Sequence, residues 1–468
     1  KCTCLHAACV FTRMRRAFAT LFLLLALTAR GEEGWQPFVL RSYDGRESRA
    51  ESRMVAVREN RHEATSRFIR IGVVRLPATR TIAGASPIVF LSGGPGIPAT
   101  VLARVPVYYD LFERLRAIGD VLLIDQRGSG MSVPNLTCPR AEIPSDALAS
   151  DERMRQMLIA RVGQCAEFWR SGGLDLRGYS TGEIAEDVDV IRRVAGARKV
   201  NLLAFSYGSE VAFEILRRRL ESVQRVVFAS TRAPDTLLKS PLAWDQQLEK
   251  IGALANVPLR ENVASAVGRL DANPITTTGE RPLVLSGIAL LTLLRADLPE
   301  GRSIGKIPGL VEAVKNGDAS VLAQRARQTL DSIAGSFNLM TLAVDCSSGW
   351  SEERLSRTRR EAAGAVMRNV NLQWDPEVCA ALGGSGVPPS IPDIRVPALF
   401  ITGTLDPNAP IEQTDAIRRH FTKSVHIVVV HGAHETLPAA DVQKRIVSFF
   451  GGEPVTDAPI VLPSPFEH

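Results

Sequence analysis

Short apolar runs alternate with helix-like spacings between residues 86 and 230 of the 468-residue chain. Apolar runs of about 4–8 residues bounded by turn residues predict buried strands, and their alternation with helices predicts a parallel sheet covered on both faces. A capping box at Ser180 and Glu183 marks the start of one helix, whereas residues 134–178 show no clear period and are predicted to be irregular. The predicted strands lie at residues 86–91, 121–124, 200–205 and 225–229.

The remainder of the chain changes its pattern twice. β-branched runs at 54–57 and 68–74 predict an opening β meander, and two further strands are expected at 397–401 and 425–430. The intervening stretch is rich in Leu and Ala with helical spacing, which predicts a mainly helical cap inserted before the last core strands. The Pro-rich tail is expected to lie on the surface or to be loose. The predicted divisions are a first core part at 35–234, the cap at 235–375, a C-terminal core part at 376–452 and the tail at 453–468.

The N-terminal segment has the layout of an export signal. Met14, Arg15 and Arg16 form a short basic head, and residues 17–29 carry no charge. Such a stretch is short for a membrane span and suits the apolar part of a signal peptide. We therefore predict an upstream extension at residues 1–13, a signal peptide at 14–29, and an exported, periplasmic or secreted protein with no stable membrane span after cleavage. An uncleaved anchor is the alternative.

The charge balance gives no support for a nucleic-acid partner. The chain has 56 basic and 50 acidic residues, and the basic residues before position 30 account for most of the excess. Without them the count is 52 basic against 50 acidic residues, whereas nucleic-acid binding needs a clustered basic face. No metal or organic cofactor is expected.

Cysteine usage agrees with export. Three of the seven cysteines precede the predicted signal peptide, and the remaining four are Cys138, Cys165, Cys346 and Cys379. An even number of cysteines in an exported chain favours two disulfides. Neighbours along the chain would pair Cys138 with Cys165 and Cys346 with Cys379, although four cysteines allow three connectivities. No activating base lies beside any of them in the sequence, which argues against a catalytic thiol.

A strand–turn–helix pattern surrounds Ser206. The apolar run at 200–205 ends at this serine, and a helix-like pattern begins directly after it. This layout predicts a nucleophile elbow, which presents the serine hydroxyl above the sheet at a helix N-terminus. The usual Gly-x-Ser-x-Gly pattern keeps Gly208 but has Ala204 in place of the first glycine. Alanine has the smallest side chain after glycine, so a close strand–helix crossing is still expected to fit.

The groups that would activate this serine follow the later strands. A serine nucleophile needs a base, and the base needs an orienting partner. Asp406 follows the strand at 397–401 and His434 follows the strand at 425–430. The order Ser206, Asp406, His434 is the chain order of an α/β-hydrolase triad. His431 lies closer to the strand end, is the alternative base and is expected to be structural.

Two backbone N–H groups are expected to form an oxyanion hole. One belongs to Tyr207, directly after the nucleophile. The other belongs to Gly94, in the turn that follows the strand at 86–91, with Gly93 as the alternative.

Four motifs in this order resemble serine peptidase family S33, the proline iminopeptidase and tripeptidyl aminopeptidase group of α/β-hydrolases. The resemblance spans roughly residues 54–450, is weakest in the cap, and implies an α/β-hydrolase fold, a doubly wound, mostly parallel sheet with the helical cap inserted. It also implies that Ser206 is the nucleophile, Asp406 the orienting acid and His434 the general base. The four cysteines fit the exported, tripeptidyl-aminopeptidase-like branch, and the second motif is mainly a structural turn in this family, so Arg127 receives no catalytic role. The motifs are Ser92-Gly93-Gly94-Pro95-Gly96, Asp125-Gln126-Arg127-Gly128-Ser129-Gly130, Ser206-Tyr207-Gly208 and Thr402-Gly403-Thr404-Leu405-Asp406-Pro407.

The predicted function is hydrolysis of peptide bonds near substrate N-termini through an acyl-enzyme, with a peptide or a small amide or ester as substrate. An esterase or lipase with the same triad is the first alternative, and a non-catalytic binding protein on a hydrolase scaffold is the second. An aminopeptidase must also hold the ammonium group of its substrate with carboxylates. Glu210, Asp235 and Glu435 lie near the site in sequence, but each is expected to be a surface or ion-pairing group, so no anchor is chosen.

Overall fold

The computed structural model describes residues 34–279 and 281–467, so the predicted extension and signal peptide lie outside the described residues. The described chain forms a ten-stranded sheet and a separate two-stranded ribbon, β8–β9. The order across the large sheet is β1-β2-β3-β5-β4-β6-β7-β10-β11-β12. The strands are β1 (Gln36–Arg41), β2 (Glu47–Arg58), β3 (Phe68–Leu76), β4 (Ile88–Leu91), β5 (Val121–Ile124), β6 (Val200–Phe205), β7 (Val223–Ala229), β8 (Ile275–Thr276), β9 (Val284–Leu285), β10 (Ala398–Gly403), β11 (Ser424–Val430) and β12 (Ile460–Val461).

The sheet divides into an antiparallel part and a parallel part. Strands β1, β2 and β3 pair antiparallel as the predicted meander, and β3 pairs antiparallel with β5. From β5 to β12 every neighbouring pair is parallel. All residues of β4, β5, β6 and β10 are buried, as expected for strands of a parallel sheet whose two faces are covered. The predicted fold class is confirmed.

Helices cover both faces of this sheet. Successive strand residues point to opposite faces, so Ile88 and Phe90 pack in one cluster with α2 and α16, while Val89 and Leu91 pack in the other with α4 and α5. The helices are α1 (Ala99–Leu102), α2 (Pro106–Leu115), α3 (Asp151–Ser171), α4 (Thr181–Val194), α5 (Gly208–Arg219), α6 (Pro241–Ala255), α7 (Leu259–Ala272), α8 (Gly287–Asp297), α9 (Gly301–Ile304), α10 (Ile307–Lys315), α11 (Ser320–Gly335), α12 (Leu339–Ser348), α13 (Glu352–Gly364), α14 (Pro376–Ala380), α15 (Ile411–Arg418) and α16 (Ala440–Gly451). Within the described ranges, none of these helices has the length and apolar composition that crossing a membrane requires.

The chain between β7 and β10, residues 230–397, is here called the inserted segment. It contains helices α6 to α14 and the short ribbon β8–β9. Cys346 on α12 and Cys379 on α14 are paired, with 5.4 Å between their Cα atoms. Cys138 and Cys165 are also paired, with a Cα–Cα distance of 5.5 Å. Both distances suit disulfides, and the pairing is between neighbours along the chain.

The prediction of irregular structure for residues 134–178 is wrong, because α3 occupies half of that range as a 21-residue helix. Its N-cap, Ser150, accepts a hydrogen bond from the backbone N–H of Arg153 at 3.1 Å. The buried face follows helical spacing, but charged residues between its members, including a buried Arg161, obscure the period in the sequence. The buried members are Met154, Met157, Leu158, Arg161, Val162, Cys165 and Ala166.

Most residues of the tail are exposed, as predicted, but the tail is not loose throughout, because it supplies the edge strand β12. Val429 pairs with Ile460 in parallel register, and the Ile460 side chain is only 7% exposed. Only two residues of a Pro-rich stretch form this strand, so the sequence pattern is too short to predict it.

Candidate active site

Ser206 lies at the sharp turn between β6 and α5 and has a φ of 52°. Its backbone N–H donates a hydrogen bond to the carbonyl of Ala229 at 3.0 Å, and its carbonyl accepts one from Ser209 at 2.9 Å. A left-handed conformation is unfavourable for a residue with a side chain and persists only where the surroundings impose it. The strand and helix on either side therefore hold the serine at the carboxyl edge of the sheet, in the geometry of a nucleophile elbow.

The two flanking positions of the elbow differ in how much room they leave. A Cβ atom at Gly208 would lie 2.0 Å from the carbonyl oxygen of Leu91, because α5 crosses directly over the end of β4. Ala204, in contrast, is fully buried in β6 between Leu91 and Phe228 on the neighbouring strands and accommodates its methyl group. The elbow thus requires glycine after the serine but tolerates alanine before it.

We expect Gly208→Ala to lower the free energy of unfolding by about 2–3 kcal/mol, because the added methyl group must push α5 away from β4. Denaturation in guanidinium chloride, followed by circular dichroism, measures the change. The matched control is Gly163→Ala on α3, where no atom lies within 4 Å of the added Cβ and the change should raise stability by about 0.5–1 kcal/mol. Equal stability of the two variants would contradict the steric account of Gly208.

Three predicted residues form one hydrogen-bonded chain at the edge of the sheet. His434 Nε2 lies 2.9 Å from Ser206 Oγ. The other ring nitrogen, Nδ1, lies 2.8 Å and 3.0 Å from the two carboxylate oxygens of Asp406. Since a carboxylate only accepts hydrogen bonds, Nδ1 carries a proton and Nε2 presents its lone pair to the serine hydroxyl.

Asp406 is held as a carboxylate. Its side chain is fully buried, and its Oδ1 atom also accepts hydrogen bonds from the backbone N–H groups of Asn408 and Ala409. Burial alone would raise the pKa of Asp406, but the electrostatic interaction with the His434 ring and the hydrogen bonds from His434, Ala409 and Asn408 outweigh it and place the pKa below the usual value of 3.8. The group therefore stays ionised throughout the neutral range and keeps the imidazole oriented.

His431, the alternative base, lies away from the serine. Its ring Nδ1 donates to the carbonyl of Leu462 at 2.9 Å, and its backbone N–H donates to Thr404 Oγ1. The ring thus binds the tail next to β12, as its expected structural role implies.

The glycine turn after β4 faces the elbow. A Cβ atom at Gly93 would lie 3.2 Å from that of Ser206, so the turn passes beside this serine. Gln126 holds the turn, because its Oε1 accepts from the N–H of Gly96 at 3.0 Å and its Nε2 donates to the carbonyl of Ser92 at 3.1 Å. The backbone N–H groups of Gly93, Gly94 and Tyr207 form no hydrogen bond with any residue of the described chain. Both candidate glycines therefore remain available as donors beside Tyr207.

Arg127 belongs to the scaffold. Its side chain is fully buried, and its guanidinium group binds both carboxylate oxygens of Asp187 at 2.8 Å. It also donates to the backbone carbonyls of Glu59 and Gly178. These contacts join the second motif to β2 and α4 and leave Arg127 no donor directed at Ser206.

The three carboxylates considered from the sequence have separate structural partners. Asp235 accepts hydrogen bonds from the backbone N–H and hydroxyl of Ser351, at the start of α13. Glu435 accepts a hydrogen bond from the hydroxyl of Tyr108 at 2.7 Å. Glu210 is buried and forms an ion pair with Arg232 at 2.8 Å. Of the three, only Glu210 forms the expected ion pair.

Sequence reasoning missed the buried network around Arg232. This guanidinium group binds Glu210 on α5 and Asp345 on α12, the latter at 2.7 Å. Trp374 Nε1 donates to the second oxygen of Asp345, and the Arg232 guanidinium lies 5.2 Å from the centroid of the Tyr207 ring. The network joins the elbow to the inserted segment. One signal could have found Arg232, since it lies shortly after the end of β7 at Ala229, where site groups of parallel sheets lie; Asp345 has no such signal.

The inserted segment also contacts the site at two further points. Thr341 on α12 donates its hydroxyl hydrogen to the carbonyl of Pro95 in the glycine turn, at 2.9 Å. The backbone N–H of His434 donates to the carbonyl of Pro299 at 3.0 Å. The positions of the glycine turn and of His434 therefore both depend on this segment.

No cluster of three or more His, Cys, Asp or Glu side chains within residues 34–279 and 281–467 is arranged to hold a metal ion.

Comparison with known proteins gives one broad match and several distant relatives. Residues 86–439 match the family model described as alpha/beta hydrolase fold. YuaR of Escherichia coli strain K12, named only as a hydrolase, is 22% identical over 340 residues, which are 67% of this chain and 65% of that protein. Serine protease Hip1 of Mycobacterium tuberculosis strain H37Rv is 27% identical over 153 residues, 30% of this chain and 28% of that protein. Tripeptidyl aminopeptidase of Streptomyces coelicolor is 30% identical over 156 residues, 30% of this chain and 27% of that protein. The matches thus span just under two thirds of YuaR and less than a third of the two peptidases.

Proposed function

Because the chain belongs to the α/β-hydrolase fold family, we propose that it is a serine hydrolase that cleaves amide bonds near the N-termini of peptides through an acyl-enzyme. The observation that carries this proposal is the continuous hydrogen-bonded chain from Ser206 through His434 to Asp406. A serine with a base at 2.9 Å and a buried carboxylate behind that base has what nucleophilic attack requires.

In the proposed reaction, Ser206 Oγ attacks the substrate carbonyl while His434 Nε2 takes the hydroxyl proton. Asp406 keeps the imidazole oriented and stabilises its positive charge. The N–H groups of Tyr207 and Gly94 stabilise the oxyanion of the tetrahedral intermediate. His434 then protonates the leaving amine, and water, activated by the same histidine, releases the acyl group. All proton transfers are made by this chain's own residues.

Two observations favour a peptide substrate with a free N-terminus. The distant relatives include proteins named as a serine protease and a tripeptidyl aminopeptidase. Glu435, directly after the base, accepts one hydrogen bond from Tyr108, and no Lys or Arg nitrogen of the described chain lies within 4.0 Å of its carboxylate. A half-buried carboxylate without a cationic partner, on the residue that follows His434, suits the ammonium group of a peptide.

A substrate panel tests the proposal. Aminoacyl and tripeptidyl arylamides are compared with their N-acetylated forms and with short p-nitrophenyl esters, using kcat/KM as the measure. We expect the free arylamides to exceed their acetylated forms by about tenfold or more, since an ion pair with the ammonium group contributes about 1.5–3 kcal/mol. If the wild type hydrolysed only the esters and Ser206→Ala lost that activity, the esterase alternative would replace the peptidase proposal.

We also propose that the protein is exported. The two cysteine pairs support this, because disulfides persist in oxidising compartments and are rare in the cytosol.

A further inference from the structure

A cavity of about 600 Å³ lies beside the loop that carries Asp406, away from Ser206. Its walls come from four parts of the fold: the chain entering α6, one side of α13, Ile391 in the loop before β10, and the chain from Pro407 through α15. Asn408, whose N–H group binds Asp406, is one of the lining residues. Ser206 does not line the cavity, but the loop that hydrogen-bonds Asp406 does.

Lys239 lines this cavity with an ammonium group that has few partners. The side chain is only 7% exposed, and Nζ donates to the carbonyl of Thr236 at 3.0 Å. No carboxylate oxygen among the described residues lies within 4.0 Å of it, so two of its three N–H donors stay free. Burial and the charges of Arg232 and Arg354 lower the pKa of Lys239 to about 7, against the smaller opposing effects of Glu210 and Asp406.

Arg354 lines the same cavity and is also without a carboxylate partner. Its Nε donates to the carbonyl of Leu238 at 2.8 Å, which leaves the two terminal nitrogens of the guanidinium fork free of any described acceptor. Burial and the nearby charge of Arg357 lower the pKa of Arg354 to about 10, against the smaller opposing effects of Asp235 and Glu361. The contrast with Arg232, which is buried and binds two carboxylates, is direct. Arg354 is half-buried and Lys239 is buried, and a cation removed from water without an anion is costly.

Two helix N-termini add positive potential to the cavity. Ser240, the N-cap of α6, and Pro410, the N-cap of α15, both line it, and a helix N-terminus attracts negative charge. Two carboxylates also line the cavity. Glu361 is engaged by the hydroxyl of Ser240 at 2.5 Å, and Glu412 lies in the first turn of α15.

We propose that this cavity binds an oxyanion, a phosphate or carboxylate group carried by a small organic molecule, between Lys239 and Arg354. The bound oxyanion would pair with both cations. It would accept hydrogen bonds from the free N–H groups of Lys239 and from the terminal nitrogens of Arg354. The volume exceeds that of a bare ion, which leaves room for the organic part. This inference does not depend on the proposed peptidase activity.

The test uses thermal unfolding of the folded chain in the presence of inorganic phosphate or succinate at about 20 mM, with sodium chloride at equal ionic strength as the reference. We expect at least one of the two to raise the unfolding midpoint by about 3 °C or more over chloride, because a ligand that binds only the folded state stabilises it. Phosphate alone, succinate alone, or both would identify the preferred anion. No shift with either would overturn the proposal.

Two variants locate the effect. Lys239→Met removes a buried, unpaired charge, so it should raise the midpoint of the ligand-free protein by about 2–4 °C and abolish the shift caused by the anion. Arg354→Gln should also abolish that shift. Lys444→Met, which makes the same chemical change at a lysine that is 68% exposed, should keep it. A variant that is more stable and no longer binds cannot be explained by misfolding, and a shift retained by Lys239→Met or Arg354→Gln would refute the assignment.

Discussion

Replacing Ser206 by alanine is expected to lower kcat/KM on the preferred arylamide by about 10³-fold to 10⁶-fold. The hydroxyl at 2.9 Å from His434 is the nucleophile of the proposed reaction, and triad members act as a unit, so loss of one member removes nearly the whole contribution of the triad. Binding and the oxyanion hole would leave residual catalysis. Steady-state kinetics and labelling by a fluorophosphonate probe measure the loss.

Ser209→Ala is the matched control for this experiment. Ser209 lies one turn further along the chain, is fully buried, and its hydroxyl has no hydrogen-bond partner within the described residues. Its backbone N–H, which binds the carbonyl of Ser206, is unchanged by the substitution. We expect kcat/KM within about twofold of the wild type, since a buried hydroxyl without a hydrogen-bond partner contributes little to the structure of the site. Full activity and full labelling in Ser206→Ala would contradict the nucleophile assignment and would indicate that another residue is the nucleophile.

The local sequence pattern was sufficient to predict much of the fold and to select the candidate triad. The continuous apolar strands of a parallel sheet and the abrupt change of period at Ser206 are both local signals. Because the strands of such a sheet run in the same direction, their carboxyl ends lie at one edge. Asp406 and His434 could therefore be selected because each follows a predicted strand. The helix α3 was missed for the opposite reason, since a buried Arg161 and neighbouring charges dilute its apolar face. The strand β12 depends on an edge that only the folded sheet provides.

Interactions between distant parts of the chain were not predictable in the same way. Arg232 and Asp345 are 113 residues apart in sequence, and neither position shows a period or a motif that relates it to the other. The same holds for Thr341 and Pro95, 246 residues apart. These contacts follow from how the inserted segment packs on the core, which depends on tertiary structure and not on local spacing.

Arg232→Met is expected to lower the free energy of unfolding by about 3–5 kcal/mol, because it leaves Glu210 and Asp345 as buried carboxylates without their cation. Burial already raises the pKa of Asp345, with Arg232 and Trp374 opposing that shift. Without Arg232 the pKa should rise further, and a carboxyl group with a raised folded-state pKa is least destabilising when it is protonated. The deficit relative to the wild type should therefore shrink as the pH falls from 7 toward about 4. Chemical denaturation at several pH values measures both effects.

The triple variant Arg232→Met, Glu210→Gln, Asp345→Asn separates charge from packing. It removes the cation and both uncompensated charges together, so it should recover most of the lost stability and lose the pH dependence of the deficit. Arg217→Met is the control, since its ion pair with Glu214 is partly exposed and should contribute at most about 1 kcal/mol. A deficit as large in the triple variant as in Arg232→Met would mean that packing against Tyr207, not charge, explains the effect. In that case the cation–π contact at 5.2 Å would be the main connection between the elbow and the inserted segment.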